Sequence, residues 1–274
     1  MNDTLPIDEG GTGRAIPIHG EEDFAAMRRA CELAARTLDH IIPFVQPGVT
    51  TGALDDEIDA FMRRHGGVAA TLGYRGYPRS SCISVNHVVN HGIPSDTKKL
   101  AKADIVNIDV TVILDGWYGD TSRMFVIGGR TGVKAQKLVD VTFESMWAGI
   151  EAVKPGATLG DVGHAIQTVA EAARCSVVRD FVGHGVGREF HAPPEVKHYG
   201  RPGEGVVLRE GMIFTIEPMI NAGKPDVKIL ADGWTTVTRD RSLSAQFEHT
   251  VGVTADGVEV FTLSPAGQHR PPYG

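Results

Sequence analysis

Residues 106–125, VNIDVTVILDGWYGDTSRMF, carry the clearest structural pattern in the chain. Apolar and polar side chains alternate on both sides of the Asp-Gly pair at 115–116, which is typical of two half-buried strands joined by a two-residue turn. With that turn, Asp109 lies opposite Ser122, and Asp120 is its diagonal neighbour on the same face, roughly 5–8 Å away between Cβ atoms. Two carboxylates this close repel each other. The stretch is therefore either a solvated hairpin with two surface aspartates or a hairpin that holds a cation.

Two further carboxylates interrupt apolar strands later in the chain. The segment FTIEPM contains Glu217, and SAQFEHTVGV contains Glu248. A buried glutamate is normally paired with Lys or Arg, and neither strand supplies one. The segment DFVGHGVGREFH adds His184 and His191, in a spacing that matches neither a phosphate-binding loop nor a dinucleotide-binding loop. His184 and four carboxylates carry too much negative charge for one divalent ion, but they suit two ions about 3.5–4 Å apart.

The order of helices and strands indicates two related halves. Helical periodicity runs over 21–42, 54–67 and 132–152, and strand-like segments lie near 82–90, 104–113 and 117–127. The segment VQPGVTTGALDDEI, from Val45, matches VKPGATLGDVGHAI, from Val153, at an offset of 108 residues (153 − 45). Each copy follows a long helix and leads into another helix. We therefore predict an α+β fold of two pseudo-symmetric halves, with a central antiparallel sheet and helices packed outside, and a site between the halves.

Domain boundaries follow from the start of this periodicity. Residues 1–20 are rich in glycine and proline and predict a flexible N-terminal tail, whereas residues 21–274 predict a single catalytic domain. The 274 residues, 42% of them hydrophobic, suffice for one large domain or for two closely packed halves.

Composition narrows the class of protein. The formal net charge of −7 and the absence of a Lys/Arg block argue against a protein that mainly binds nucleic acid or anionic membranes. Neither an apolar run of about 18 residues nor a signal peptide is present. Cys31, Cys82 and Cys175 lie far apart without a CxxC pair, which suits a reducing compartment. These features predict a cytoplasmic enzyme.

Several motifs together resemble those of a known family. GYRGYPRSSCIS, VVNHGIP, NIDVTVILDGWYGDTS, GHGVGREFH, FTIEPM and DRSLSAQFEHT occur in this order between Glu21 and Leu263. They are similar to the type I methionine aminopeptidases, within the creatinase/aminopeptidase family of peptidase M24 type that has the pita-bread fold. Glu217 follows His184 by only 33 positions (217 − 184), which leaves no room for the helical insertion of the type II class.

The resemblance implies a role for each candidate ligand. Asp109 would bind one divalent metal ion and His184 the other, Asp120 and Glu248 would bridge both ions, and Glu217 would bind one ion and act as general base. A hydroxide that bridges the two metals would then attack the first peptide carbonyl. The metal could be Co, Mn, Fe or Zn, since ligand type alone does not decide among them.

The resemblance also implies a substrate site and a biological role. His91 and His191 would be catalytic residues that contact the substrate and the tetrahedral intermediate. The residues expected to form or border the methionine pocket are Tyr74, Tyr77, Cys82, Phe190, Met219 and Trp234, and those expected at a monovalent cation site are Asn107, Val110 and Ser244. The implied function is removal of the initiator methionine from nascent cytoplasmic chains whose second residue is small. We expect a monomer without nucleic-acid or membrane partners, and a contact with the ribosome surface stays open.

Two alternatives share parts of this pattern. Prolidases and Xaa-Pro aminopeptidases have the same metal ligands, but they carry a large N-terminal domain where this chain shows only the short predicted tail. Non-catalytic pita-bread modules that bind proteins or histones typically lack metal ligands. Four unpaired carboxylates in a core without an ion would cost several kcal/mol, which argues against the second alternative.

Overall fold

The structure is a computed structural model that describes residues 14–273. Over these residues the chain forms four α-helices, namely α1 (Glu21–Ile41), α2 (Thr51–Arg64), α3 (Val133–Glu151) and α4 (Leu159–Ala172). Single turns of 3-10 helix lie at Ile42–Phe44, Tyr74–Gly76 and Ile127–Gly129. None of the helices in this described part of the chain has the length and the apolar run required to cross a membrane.

The strands are short apart from one long pair. The first half contains β1 (Val68–Ala69), β2 (Cys82–Val85), β3 (Val88–Asn90), β4 (Ile105–Leu114) and β5 (Trp117–Val126). The second half contains β6 (Ser176–Val177), β7 (Gly183–Gly185), β8 (Ala192–Val196), β9 (Ile213–Ile216), β10 (Met219–Asn221), β11 (Val227–Ile229), β12 (Thr236–Thr238), β13 (Ser244–Gln246), β14 (His249–Val253) and β15 (Val258–Val260). They pair antiparallel in four sheets: β1-β4-β2 with β5 on β4, β13-β10-β6, β11-β12-β3, and β15-β14-β9-β7-β8.

The β4–β5 hairpin has the predicted register. Asp115 and Gly116 form the turn with φ of 52° and 78°, a combination typical of the tight turn that matches strand twist. Asp109 pairs with Ser122, and Asp120 is its diagonal neighbour because it pairs with the residue two positions further along β4. The predicted hairpin is confirmed.

Two hydrophobic cores correspond to the two predicted halves. Helices α1 and α2 pack on β4 around one core, which contains Leu38, Ile58 and Val110, and α3 and α4 pack with β9 and β14 around the other. Helix α2 begins at Thr51 and α4 at Leu159, 108 positions later (159 − 51), which is the offset of the sequence repeat. The prediction of two related α+β halves is confirmed.

The halves meet where the ligand-bearing strands adjoin. The backbone N–H of Ser122 donates to the carbonyl of Glu248 at 3.4 Å, and the N–H of Glu248 donates back at 3.1 Å. This bridge brings the middle of β5 next to the start of β14. The carboxylates of the two halves are thereby brought to one place.

The predicted N-terminal tail is only partly described. Residues 1–13 lie outside the described residues. Residues 14–20 pack against the domain: Ile16 is 2% exposed, and the N–H of His19 donates to the carbonyl of Gly211 at 2.8 Å. The chain therefore packs on the core before helix α1 begins, through the apolar side chain of Ile16. The sequence pattern that predicts α1 starts at Glu21 and does not include this residue.

Candidate metal centre and substrate cavity

Four carboxylates and one imidazole converge where the two halves meet. Asp109 lies in β4 and Asp120 in β5, whereas Glu217 directly follows β9 and Glu248 directly precedes β14. His184 is the middle residue of β7, which pairs with β9 in the same sheet. Glu217 follows Asp109 by 108 positions (217 − 109), so these two carboxylates occupy equivalent places in the sequence repeat.

The imidazole of His184 points its Nε2 atom at the carboxylates. Nε2 lies 3.6 Å from Oδ2 of Asp120 and 3.6 Å from Oε1 of Glu217. One ligand atom each from Asp120, His184 and Glu248 lie within 4.8 Å of one another. The second ring nitrogen, Nδ1, lies 3.0 Å from the carbonyl oxygen of Gly185. A proton on Nδ1 donates to that carbonyl and leaves the Nε2 lone pair available to a metal.

Burial raises the pKa of all four carboxyl groups. The pKa of Asp120 rises to about 7, although hydrogen bonds from neighbouring donors oppose the shift. The pKa values of Asp109, Glu217 and Glu248 lie well above their usual range, first because the groups are buried and second because the charge of Asp120 is close. Burial lowers the pKa of His184 to about 4, so its ring is neutral near pH 7. Without a cation, the carboxylates at this site therefore hold protons that a metal would displace.

The donor set fits divalent metal ions. Carboxylate oxygens and a neutral imidazole nitrogen are ligands that Mn, Fe, Co and Zn accept. Among the described residues, none of the five forms an ion pair with Lys or Arg, and Arg75 is the one Lys or Arg that lines the cavity around them. Divalent metal ions would supply the positive charge that the described residues around this cluster do not.

A layer of polar groups orients the ligands from behind. The hydroxyl of Thr111 donates to Oδ1 of Asp120 at 2.8 Å, and the hydroxyl of Thr215 donates to Oε1 of Glu217 at 2.8 Å. The backbone N–H of Glu217 donates to Nε2 of the fully buried His198 at 3.1 Å. Such contacts fix the direction in which a ligand presents its lone pairs.

The ligands form part of the wall of a cavity of about 340 Å³. Seven of the eight predicted substrate residues line the same cavity, namely Tyr74, Tyr77, Cys82, His91, Phe190, His191 and Trp234. On one side the ring of Tyr74 stacks on that of His191, with centroids 5.2 Å apart. On the other side Trp234 meets His91 edge to face at 5.9 Å. A mostly apolar slot that can hold a side chain therefore lies beside the acidic cluster.

Met219 is the predicted substrate residue that does not line the cavity. Its side chain is 0% exposed and packs with Val89, Val178 and Val227. Its sulfur accepts a hydrogen bond of 3.4 Å from the side-chain amide of Asn90, and Asn90 does line the cavity. Met219 therefore supports the wall from behind, because the strand β10 turns its side chain into this small core.

The residues predicted for a monovalent cation site also lie outside the cavity wall. The amide of Asn107 donates to Oγ of Ser122 at 3.0 Å and to the carbonyl of Gln246 at 2.8 Å. Val110 is 0% exposed in the core of the first half, and Ser244 is 3% exposed in β13. This site stays a prediction.

The two predicted catalytic histidines are neutral near pH 7. Burial lowers the pKa of His91 to about 4. The pKa of His191 falls to about 3, first through burial and then through the charges of His184 and Arg75. His91 has a left-handed φ of 53°, a conformation that costs a non-glycine residue roughly 1–3 kcal/mol and that clusters at functional sites. Each neutral ring keeps one N–H to donate.

Several residues of the cavity wall had no role in the sequence-based prediction: Arg75, Asn90, Thr111, Asp180, Phe181 and Val182. The ring of Phe181 packs edge to face against His91 at 5.5 Å. Phe181 lies three positions before His184 in the segment DFVGHG, and this closeness in sequence to a candidate ligand is the feature that could have predicted its place in the cavity wall. His198 and Thr215 gave no comparable signal, since only the folded strands place them against Glu217.

Comparison with known proteins agrees with this geometry. The family model described as metallopeptidase family M24 matches residues 25–255 of this chain. The methionine aminopeptidase of Rickettsia prowazekii is 58% identical over 259 residues, covering 94% of this chain and 99% of the relative. A crystal structure of methionine aminopeptidase from the same organism gives a TM-score of 0.89 and covers 90% of this chain and 100% of that chain.

Two further comparisons, one with a relative of high sequence identity and one with a structure of low identity, show how far the similarity extends. The methionine aminopeptidase of Escherichia coli is 52% identical over 250 residues, which are 91% of this chain and 94% of the relative. The prolidase of Pyrococcus furiosus, 22% identical with a TM-score of 0.71 over 89% of this chain and 65% of that chain, shares the fold alone. Between His184 and Glu217 the structure contains strands β8 and β9 and no helix, as the type I class requires. The chain therefore belongs to metallopeptidase family M24, in which it groups with the type I methionine aminopeptidases.

Proposed function

We propose that this chain removes the N-terminal methionine of polypeptides whose second residue is small. The observation that carries the proposal is the acidic cluster around His184, set in the wall of a cavity of about 340 Å³. The names of the relatives at 52% and 58% identity support the same activity.

We infer that the centre holds two divalent metal ions. Asp109 and His184 would each bind one ion, Asp120 and Glu248 would bind both, and Glu217 would bind one. Bound ions of this kind lower the pKa of a water molecule enough to supply hydroxide near neutral pH. Co, Mn, Fe and Zn all suit oxygen ligands with one imidazole, and their availability decides among them as much as affinity does.

Glu217 is the side chain that would move the proton. Its Oε1 accepts from the hydroxyl of Thr215 at 2.8 Å, and its Oε2 lies 3.3 Å from the side-chain amide of Gln246. Held at both oxygens, the carboxylate would accept a proton from the attacking water and return it to the departing amine. General base catalysis of this kind contributes about 10²–10⁴-fold to a rate.

His91 and His191 would stabilise the carbonyl oxygen as it gains negative charge. Both rings line the cavity and are neutral near pH 7, so each can donate one N–H without adding a proton to the site. A donor placed at a developing oxyanion is worth roughly 3 kcal/mol in the low-dielectric interior.

The cavity also explains the expected selectivity. The slot formed by the Tyr74, Tyr77 and Trp234 rings suits an unbranched apolar side chain such as that of methionine. A free α-amino group would lie next to the acidic cluster, and an internal peptide bond offers no such group. We therefore expect release of one residue, with a second residue limited in size by the rings of Phe190 and His191.

We further propose that the substrates are nascent polypeptides in the cytoplasm and that the chain acts as a monomer. The net charge of −7 and the three unpaired cysteines support a reducing, aqueous compartment. Co-sedimentation with ribosomes would test the open question of a ribosome contact, and sedimentation equilibrium would test the monomer.

The experiment that tests the function is metal-dependent hydrolysis of peptides. Metal-stripped protein is assayed with Met-Ala-Ser and Met-Lys-Ser, before and after Co(II) or Mn(II) is added, beside Glu217→Gln and an Ala-Pro-Ala control. We expect methionine release from Met-Ala-Ser only with metal, far slower release from Met-Lys-Ser, and loss of about 10²–10⁴-fold in kcat for the variant.

Other outcomes would select the alternatives. Cleavage of Ala-Pro-Ala would place the chain with the Xaa-Pro enzymes. Equal rates for the two methionine peptides would disprove the limit on the second residue. Metal binding without cleavage of any of the three peptides would favour a non-catalytic binding module.

A further inference from the structure

Residues 186–191 form a loop, the substrate loop, that has an empty space on each side. One side presents Phe190 and His191 to the catalytic cavity. The other side faces residues 14–20, the N-terminal arm, across a second cavity of about 170 Å³. The loop is anchored at its start by Val186, which is 1% exposed in the core that also contains Trp117 and Ile213. Beyond Val186, the position of the loop depends on the contacts of residues 187–191.

His19 joins the arm to three parts of the domain. Its backbone N–H donates to the carbonyl of Gly211 at 2.8 Å, and its Nδ1 lies 3.3 Å from Oδ2 of Asp23. Its ring meets the indole of Trp117 edge to face at 5.8 Å, and its side chain is 9% exposed. The imidazole is therefore held by the second half, by helix α1 and by the β4–β5 hairpin at once.

This fixed ring touches the substrate loop at Gly187. A methyl group placed on Gly187 would lie 3.1 Å from Cε1 and 3.3 Å from Nε2 of His19, closer than most real contacts of that kind. The carbonyl of Gly187 accepts from the N–H of Tyr118 at 2.9 Å, and the ring of Tyr118 stacks on Phe190 at 5.7 Å. The contact with His19 therefore lies three residues before Phe190 and four before His191, whose side chains line the catalytic cavity.

A second contact joins the arm to the loop. The guanidinium of Arg14 lies 2.6 Å from Oε2 of Glu189, but both side chains are more than half exposed. An ion pair at this exposure contributes little to stability. The buried contact between His19 and Gly187 is the stronger restraint of the two.

We propose that His19 is a positioning residue, which holds the substrate loop from behind and so sets where Phe190 and His191 stand in the catalytic cavity. His19 touches neither substrate nor metal ligands in this assignment, and it acts through the backbone of Gly187. For its activity readout the proposal rests on the proposed function.

The test is a double-mutant cycle between the two contacting residues. His19→Ala leaves a gap behind the loop, and Gly187→Ala adds a methyl group at the same point. We expect each single variant to lower kcat/KM for Met-Ala-Ser by about tenfold, mainly through kcat, because a displacement of about 1 Å can cost up to 10²-fold. The double variant, in which the methyl group fills the gap, should recover most of the loss.

A second readout and a matched control separate positioning from simple loss of stability. Hydrogen exchange of the amides at 187–191 should be faster in His19→Ala than in the wild type, and should slow again in the double variant. Ile18→Ala weakens the same arm through its contact with Gly211, and should lower Tm while it leaves kcat/KM unchanged.

The outcomes distinguish this proposal from the proposed function. Additive losses in the double variant, or equal kcat/KM losses in His19→Ala and Ile18→Ala, would overturn the positioning role. Absence of methionine release by the wild type would contradict the proposed function alone, and the hydrogen-exchange cycle would then decide the role of His19.

Discussion

The carboxylate of Glu217 is restrained at both of its oxygens and at its backbone. Thr215 and Gln246 donate to the two oxygens, and the backbone N–H donates to Nε2 of His198. Burial raises the pKa of this carboxyl group, while the hydrogen bond from Thr215 lowers it. The restraints therefore favour a single orientation of the group, which is what a metal ligand and a proton acceptor both require.

Thr215→Val tests this restraint with a side chain of equal shape. The hydroxyl of Thr215 accepts from the N–H of His184 at 3.0 Å as well as donating to Glu217, so its loss loosens two ligands. We expect metal affinity or kcat/KM to fall by about 10–100-fold, measured by metal titration and by peptide hydrolysis. Thr238→Val is the matched control, because Thr238 is equally buried and donates only to the carbonyl of Ser242. Equal losses in both variants would contradict the prediction.

The pKa of Asp120 predicts how metal and pH act together. Its value of about 7 in the folded chain lies above the ordinary 3.8, so the metal-free folded state binds this proton more tightly than the unfolded chain does. That contribution to stability is complete below about pH 4 and is lost as pH rises through about 7. Bound metal displaces the proton, and His184, with a pKa of about 4, stays neutral throughout.

We therefore expect the rise in Tm on adding Mn(II) to grow between about pH 5.5 and pH 7.5. Thermal unfolding of metal-stripped and Mn(II)-loaded protein across this range measures the difference. A rise in Tm that is the same at every pH would show that Asp120 does not titrate in the metal-free site.

At the scale of secondary structure, strand β5 depends on close contact with helix α1. A methyl group on Gly119 would lie 2.3 Å from the carbonyl oxygen of Ala30, a backbone atom that cannot rotate away. Gly119→Ala must therefore separate the helix from the strand that carries Asp120. We expect the free energy of unfolding to fall by about 1–3 kcal/mol, measured by urea denaturation.

Gly257→Ala is the control for this substitution. A methyl group there would meet no atom within 4 Å, so its free energy of unfolding should change by less than about 0.5 kcal/mol. If Gly119→Ala were as stable as Gly257→Ala, the packing of α1 on β5 would be looser than the structure has it.

The same elements show what could be predicted from the sequence. The register of the β4–β5 hairpin followed from local alternation and from one Asp-Gly turn, and the ligands on it followed from the register. His198 and Asn90 were not predictable, because their partners lie 19 and 129 residues away along the chain. Resemblance predicted that Met219 forms or borders the pocket, and strand β10 directs its side chain into a small core behind the cavity wall. Local periodicity cannot report such long-range pairings.

For the whole molecule, Asp39 connects three separate parts of the chain. It lies in α1 and accepts hydrogen bonds from Arg123 of β5, from the hydroxyl of Ser264 at 2.7 Å and from the N–H of Ala266 at 3.4 Å. The side chain of Arg123 is 2% exposed. Asp39 therefore anchors the C-terminal segment to the first half and neutralises a buried guanidinium.

Asp39→Asn should consequently be more destabilising than the loss of any exposed ion pair. The substitution keeps the size of the side chain but leaves Arg123 buried without a counter-charge, so we expect a loss of about 3–5 kcal/mol in the free energy of unfolding. Glu259→Gln removes the ion pair of Glu259 with Arg28, in which both side chains are partly exposed. It should lower the free energy of unfolding by less than about 1 kcal/mol in the same urea titration. Methionine release at low temperature should persist in both variants, since Asp39 does not line the catalytic cavity. Equal urea midpoints for the two variants would contradict the prediction. They would mean that Arg123 has another counter-charge or contacts water when Asp39 is replaced, and that other contacts hold the C-terminal segment.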